Sequence, residues 1–311
     1  MKKKTINIIS AFFNENENIA NFIKNFEITR FLLVKEGYIV NLILVNDGST
    51  DNSVQTAIKL SKNKKYIKLI SLSKNFGQQI AIFTALEKYK ADLFGAIDLD
   101  GQQDPRLFLK ILKTLKKYKL DVVQMKKKYG NYEGGFKKIF SKFFYYIFSY
   151  LTNIDLQPGS SDFYLFTRKV RNEIIQSDIS KFFLRGFIHW TGFPKKYIEY
   201  LPSKRVLGVS KYDIYRQLDF ALTAIFLYGT KLFVKLFLLS STIILISIFF
   251  ISFIIYDHFF LESLVPGWAT IVIIISLTGS LMIFFCCLIA FFVTKLGNIV
   301  SNKSKYTLVK L

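Results

Sequence analysis

Asp98-Leu99-Asp100-Gly101-Gln102-Gln103-Asp104-Pro105 follows the short apolar run Leu93–Ile97, and its reading governs the first two-thirds of the chain. Along an extended strand, residues two apart project to the same side. Asp98 and Asp100 therefore share a side, and Gln102 continues the series beyond the strand end. Carboxylate and carboxamide oxygens suit a hard divalent cation, Mg2+ or Mn2+. Such an ion keeps positions open for substrate oxygens and can neutralise a departing diphosphate. An Asp-x-Asp alone is weak; at a strand end, followed by Gln102 and Pro105, it is much stronger.

Working outward, strands are expected at Ile6–Phe13, Tyr38–Val45, Ile67–Leu72 and Leu93–Ile97. Helical stretches alternate with them: one reaching about Lys35 and others starting at Asp51, Gln78 and about Arg106. That alternation predicts an α/β domain with a mostly parallel sheet and right-handed crossovers. In such sheets ligands bind beyond the carboxyl ends of the strands. Each predicted strand ends in a polar cluster: Asn14-Glu15, Asn46-Asp47-Gly48-Ser49, Ser73-Lys74-Asn75 and Asp98 to Gln102. One cluster alone is turn or cap chemistry. Four on one rim predict a lined cleft. The sequence has no Gly-x-Gly-x-x-Gly and no Walker loop, so backbone amides are not the obvious phosphate cradle.

Hydrophobic residues make up 51% of the 311 and mean hydropathy is +0.29, despite 21% charged residues. Those values exclude disorder and require the apolar residues to be concentrated. Leu236–Tyr256 is uncharged and, at 1.5 Å per residue, roughly 31 Å long as a helix, enough to cross a bilayer core. A second uncharged stretch runs from Pro266 to Thr294. The connector, Asp257–Val265, has no Lys or Arg, whereas Lys231, Lys235, Lys295, Lys303, Lys305 and Lys310 flank the pair. The positive-inside rule then predicts a multi-pass protein of the inner membrane, with the large domain and both termini cytoplasmic. No secretory signal is visible at the start. Phe136–Leu151 mixes lysines with aromatics, as a headgroup-level helix or an amphipathic core helix would. Tyr212–Thr230 predicts a further surface helix. The net charge of +21 fits an anionic surface or substrate, or simply a Lys-rich composition. Cys286 and Cys287, adjacent in an apolar run, exclude a disulfide framework.

Seven stretches carry a resemblance. They are Phe13-Asn14-Glu15, Val45 through Asp51, Ser73 through Gly77, Asp98 through Pro105, Ser161 through Leu165, Arg185-Gly186-Phe187 with Trp190 through Phe193, and Arg205 through Gly208 to Ser210-Lys211-Tyr212. In this order the chain resembles a family 2 glycosyltransferase of the GT-A fold, in the branch of polyprenyl-phosphate and dolichyl-phosphate sugar transferases. The resemblance implies a GT-A catalytic domain over 1–212, a juxtamembrane amphipathic helix over 213–235, a two-helix transmembrane hairpin over 236–294 and a basic tail over 295–311. It also implies roles. Phe13, Glu15, Asn46, Asp47, Asp98 and Gln102 would bind a nucleotide-diphosphate sugar; Asp98, Asp100 and Gln102 would surround Mg2+ or Mn2+. Asp100 and Asp162 would be catalytic, and Arg205, Ser210 and Lys211 would meet the phosphate of a polyprenyl acceptor. The chain departs from the family at Ala11, Phe13, Asn46 and Tyr164, where Pro, Tyr, Asp and Arg are common, and at Lys126–Lys128, where an Arg-containing motif is common.

Acceptor chemistry shapes the remaining assignments. A phosphate monoester has a second pKa near 6 and is mostly a dianion at neutral pH. Such a nucleophile arrives deprotonated, so the main task becomes positioning two anions and neutralising their charge. Lys126, Lys127, Lys128, Arg168, Arg185, Arg205 and Lys211 are candidates to hold it, arginines foremost because their fork matches phosphate oxygens. Asp162 is then either a base or a group orienting the acceptor, or part of a turn. His189 is expected to pack structurally, and His258, in the connector, to have no catalytic role. Expected partners are the nucleotide sugar, the lipid phosphate and the membrane; homo-oligomerisation is left open. The rivals are another lipid or saccharide acceptor, or a non-catalytic membrane protein. Nucleic-acid binding would explain the charge but neither the acidic rim nor the apolar spans.

Overall fold

The computed structural model describes residues 3–128, 146, 149–150, 157, 159–176, 184–203, 230–260, 267–300 and 306–309. The chain divides into two compact units, one holding the sheet and the other the two long apolar helices.

In the first unit, β1 (Thr5–Phe12), α1 (Asn16–Lys35), β2 (Ile39–Asn46), α2 (Ser53–Ser61), β3 (Ile67–Leu72), α3 (Gln78–Lys88), β4 (Leu93–Ala96) and α4 (Leu107–Lys117) alternate as predicted. β5 (Val122–Lys127), β6 (Ser160–Thr167), α5 (Arg168–Gln176), α6 (Leu184–Trp190), β7 (Lys195–Tyr200) and β8 (Leu308–Val309) complete it. The strand order among the described residues is β7-β5-β6-β4-β1-β2-β3-β8. β1, β2, β3, β4, β5 and β7 all run the same way; β6 and β8 are antiparallel to their neighbours. The carboxyl ends of the six parallel strands therefore share one rim with the amino ends of β6 and β8.

Burial on both faces explains the continuous apolar runs in the central strands, including Ile8, Leu42, Leu44 and Ile43. One helical layer contains α1, α2 and α4, the other α3 and α5. α4 inserts Phe108, Ile111, Leu112 and Leu115, the spacing of one helical face. Gly95 lets it approach: a Cβ there would lie 2.6 Å from the Phe108 ring.

The second unit holds α7 (Thr230–Phe260) and α8 (Trp268–Val300), which pack on each other. Phe237–Asp257 and Thr270–Ala290 are long and apolar enough to cross a membrane. Only 17% and 6% of these windows are buried, unlike the core helices of a water-soluble domain. Phe249, Leu245, Ile275 and Met282 are left exposed. Their hydroxyls turn inward on their own helix: Ser247 donates to the Ile243 carbonyl at 2.9 Å, Ser252 to Ile248 at 3.0 Å and Thr278 to Ile274 at 2.6 Å. That satisfies their hydrogen-bonding groups within the helix itself.

The surface helix predicted at Tyr212–Thr230 falls outside the described residues except for Thr230, the first residue of α7, and most of Phe136–Leu151 falls outside them too. The supposed basic tail, 295–311, is partly structural: α8 continues to Val300, and Leu308–Val309 join the sheet.

Candidate active site

All four polar clusters lie on the shared rim, and their side chains first build the loops. Asn14, at φ 55°, accepts from the Thr50 amide at 2.8 Å, and its own amide donates to Ser49 Oγ at 3.0 Å. Glu15 accepts from the Asn18 side chain at 2.6 Å and donates its amide to Ser53 Oγ at 2.8 Å, which ties the starts of α1 and α2 together. Asn46 is buried; it donates to Ser71 Oγ at 2.8 Å and accepts from the Ser49 amide at 2.9 Å. Aspartate has no N–H to give Ser71 in this way. Asn46 therefore belongs to the loop framework. Phe13 is half-buried between these loops.

Asp47 is 4% exposed and accepts from two successive main-chain amides, Phe76 at 2.8 Å and Gly77 at 3.0 Å. Desolvation raises its pKa, and those two N–H groups oppose the rise. Gly77, at φ 97°, adopts a conformation that favours glycine, and the next residues open α3. Gln78 then donates to Asp98 Oδ1 at 2.5 Å, and Gln79 to Asp162 Oδ2 at 3.0 Å. Four consecutive residues thus hold three carboxylates: Asp47 just after β2, Asp98 just after β4 and Asp162 on β6.

Gln103, 2% exposed, grips Asp98 from the other side. Its amide donates to Asp98 Oδ2, and its carbonyl accepts from the Asp98 main chain at 3.0 Å. Asp100 accepts from the Gln102 amide at 3.1 Å. Asp98 is pushed up to about 6, first by desolvation and then by the charges of Asp162 and Asp100; the Gln78 hydrogen bond and Lys127 pull the other way. Asp162 and Asp100 are thus near enough for their charges to act on Asp98, and a cation beside it would relieve that repulsion.

Lys127 donates to Gln102 Oε1 at 3.1 Å, whereas Lys126 turns to Gln157 at 3.2 Å and Glu199 at 4.0 Å. Adjacent strand residues face opposite ways, so of these candidate lysines Lys127 bonds to Gln102 on the acidic rim, while Lys126 reaches Gln157 and Glu199. Arg168 is a correction. β6 runs antiparallel to β4, so the residue after its carboxyl end lies on the opposite rim. There Arg168 pairs with Asp92 at 2.9 Å and donates to the Ala91 carbonyl at 2.8 Å, so it is not brought to the acidic rim. Arg185 lies on α6, with its side chain outside what is described; Arg205, Ser210 and Lys211 also fall outside the described residues. Sequence reasoning missed Gln78, Gln79 and Gln103 as carboxylate holders. Gln103 stood within the quoted motif, but nothing in a sequence says which of two adjacent glutamines turns inward.

His189 is buried, 2.6 Å from Gln124 Oε1 and stacked on Tyr197 at 5.4 Å. Gln124 in turn donates to the Ser161 carbonyl at 2.7 Å, so the histidine supports the strand carrying Asp162. This is the packed role expected of it. Tyr164 is buried within the sheet.

The family model for glycosyl transferase family 2 matches residues 7–177, more than half of the chain and all four of its polar clusters. The chain belongs to glycosyl transferase family 2. It is 29% identical over 280 residues to the uncharacterized glycosyltransferase YkcC of Bacillus subtilis, covering 89% of this chain and 84% of that one. It is 25% identical over 310 residues to the SfII prophage-derived bactoprenol glucosyl transferase of Shigella flexneri, covering 98% and 97%. Among solved structures, the Pyrobaculum calidifontis mannosyltransferase PcManGT, in complex with GDP-Man and Mn2+, is similar with a TM-score of 0.48 at 15% identity, over 68% of this chain and 59% of that one. The protein is a glycosyltransferase with a GT-A catalytic domain and two apolar helices after it.

Among the described residues no three acidic, His or Cys side chains form a ready metal cage. The donor set nevertheless fits a hard cation. Mg2+-type ions are commonly held by one or two carboxylates plus substrate phosphates. A carboxylate oxygen engaged by one N–H also keeps a second lone pair.

Proposed function

We propose that the protein transfers one sugar from a nucleotide-diphosphate sugar to a polyprenyl phosphate at the cytoplasmic leaflet, with inversion at the anomeric carbon. An oxygen of the lipid phosphate forms the new bond to that carbon. The bond to the diphosphate breaks, and the nucleoside diphosphate leaves with the electron pair. The observation that carries this reading is the rim at the strand ends, where Gln78, Gln79 and Gln103 hold Asp98 and Asp162 and Lys127 bonds to Gln102.

Asp98, Asp100 and Gln102 would hold Mg2+ or Mn2+, which when bound supplies positive charge for the departing diphosphate. The chain's own groups do the rest. Gln78 and Gln103 fix the Asp98 carboxylate, and Lys127 adds a positive charge through Gln102. Asp47 anchors the turn beside which the nucleoside would lie. Asp162, held by Gln79, faces the pocket from the antiparallel strand and orients the acceptor. It need not remove a proton, because the lipid phosphate is largely dianionic at neutral pH. Arg185, Arg205, Ser210 and Lys211 remain candidates to hold that phosphate.

Similarity to the bactoprenol glucosyl transferase over nearly both full lengths supports a polyprenyl acceptor. The two exposed apolar helices support membrane anchoring, and the lysines flanking them support a cytoplasmic catalytic domain. Membranes containing the protein are incubated with labelled nucleotide sugars and undecaprenyl phosphate. The expected product is a labelled lipid released by mild acid, since a glycosyl phosphate is acid-labile. A lipid product that survives mild acid would assign a different acceptor.

A further inference from the structure

The rim has a component that comes from far along the sequence. Leu308–Val309 pair antiparallel with the end of β3, matching Leu72 with Leu308 and Ser71 with Val309. The Ser73 amide donates to the Thr307 carbonyl at 3.0 Å. Tyr306 donates its hydroxyl to Glu87 on the last turn of α3 at 2.5 Å. Tyr306–Val309 therefore contacts the carboxyl end of β3 and the last turn of α3. Between those ends lies the Phe76–Gln79 turn, which holds Asp47, Asp98 and Asp162. The loop before the turn is also confined by Gly48, where an added Cβ would lie 2.2 Å from the Lys74 main chain.

We propose that Tyr306–Val309 is a strap that positions the Phe76–Gln79 turn for donor binding, with Tyr306 a positioning residue that acts through Glu87 on α3. The inference rests on the reading of this rim as a nucleotide-sugar site. The strap covers main-chain groups that an edge strand would otherwise leave open. Leu308 and Val309 are 43% and 49% exposed, so the strap contributes little to the core. A segment with so few buried contacts opens at small cost. Releasing it loosens the turn while the sheet stays folded. The Tyr306 phenol is raised by desolvation and by its bond to Glu87, so it stays a donor at neutral pH.

The test uses the full chain in nanodiscs. Calorimetric titration with UDP and GDP in the presence of Mn2+ is run beside steady-state transfer from the sugar nucleotide that the wild type turns over. Val309→Pro removes the main-chain N–H that faces Ser71, and with it the strand pairing, and should raise the donor KM and the nucleotide Kd about tenfold, with kcat held within about twofold. Tyr306→Phe should raise both about threefold, and adding Glu87→Gln to it should do no further harm, because the pair acts as one contact. Unchanged KM and Kd in Val309→Pro would overturn the strap. So would a fall in kcat that tracks a fall in Tm, the mark of general destabilisation. A wild type that binds neither nucleotide and transfers no sugar overturns instead the donor-site reading on which the strap depends.

Discussion

The two rims of the sheet use similar residues to opposite ends. On the rim at the amino ends of the parallel strands, Asp92 meets Arg168 at 2.9 Å and the Thr5 amide at 2.9 Å, so its charge is matched by a cation. On the other rim, Asp98 is held by the carboxamides of Gln78 and Gln103, and Asp47 by main-chain amides. Those donors are neutral. They fix the geometry of the carboxylates without supplying a compensating positive charge. A carboxylate paired with arginine closes a structure; carboxylates held by neutral donors are, on the proposed reading, where a cation would be received.

Substitutions at the two rims should separate accordingly. Asp100→Ala should have the largest effect, lowering kcat/KM for sugar transfer on the order of 10³-fold with Tm nearly unchanged, as expected when a group acting on developing charge is lost. Retention of transfer within a few-fold would erase the distinction between the rims. Gln103→Leu comes next. It removes both contacts to Asp98 and should cost about 10- to 100-fold in kcat/KM, partly regained by raising the Mn2+ concentration in the assay. Lys127→Met should raise the donor KM about tenfold, whereas Lys126→Met should change it by less than about threefold. Equal effects would show that alternation along β5 does not set which lysine faces the pocket. Arg168→Ala should be the mildest in turnover, leaving kcat/KM within about twofold and lowering stability by about 1 kcal/mol in thermal unfolding, since its ion pair is partly exposed.

Those expectations also mark what the sequence discloses. The alternation through α4 is legible because apolar runs and polar clusters repeat, and Ile67–Leu72 and the start of α3 at Gln78 match the structure. The rim is legible because four polar clusters end four strands. The direction of β6 is not: an antiparallel strand in a mostly parallel sheet has the same apolar content, so the sequence does not say on which rim Arg168 falls. The inward turn of Gln103 and of Lys127 depends on register, which composition does not encode. β8 is two residues long, and its pairing with β3 joins positions more than 230 apart, beyond the reach of any local pattern.

The central claim is that this acidic rim releases a nucleoside diphosphate as its sugar passes to a lipid phosphate. Purified protein in nanodiscs, supplied with Mg2+ or Mn2+ and a panel of nucleotide sugars, is assayed for nucleoside diphosphate release with and without undecaprenyl phosphate. The account predicts release from one donor class, strongly stimulated by the lipid phosphate and abolished in Asp100→Ala. Release that ignores the lipid phosphate, or that survives Asp100→Ala, would contradict it.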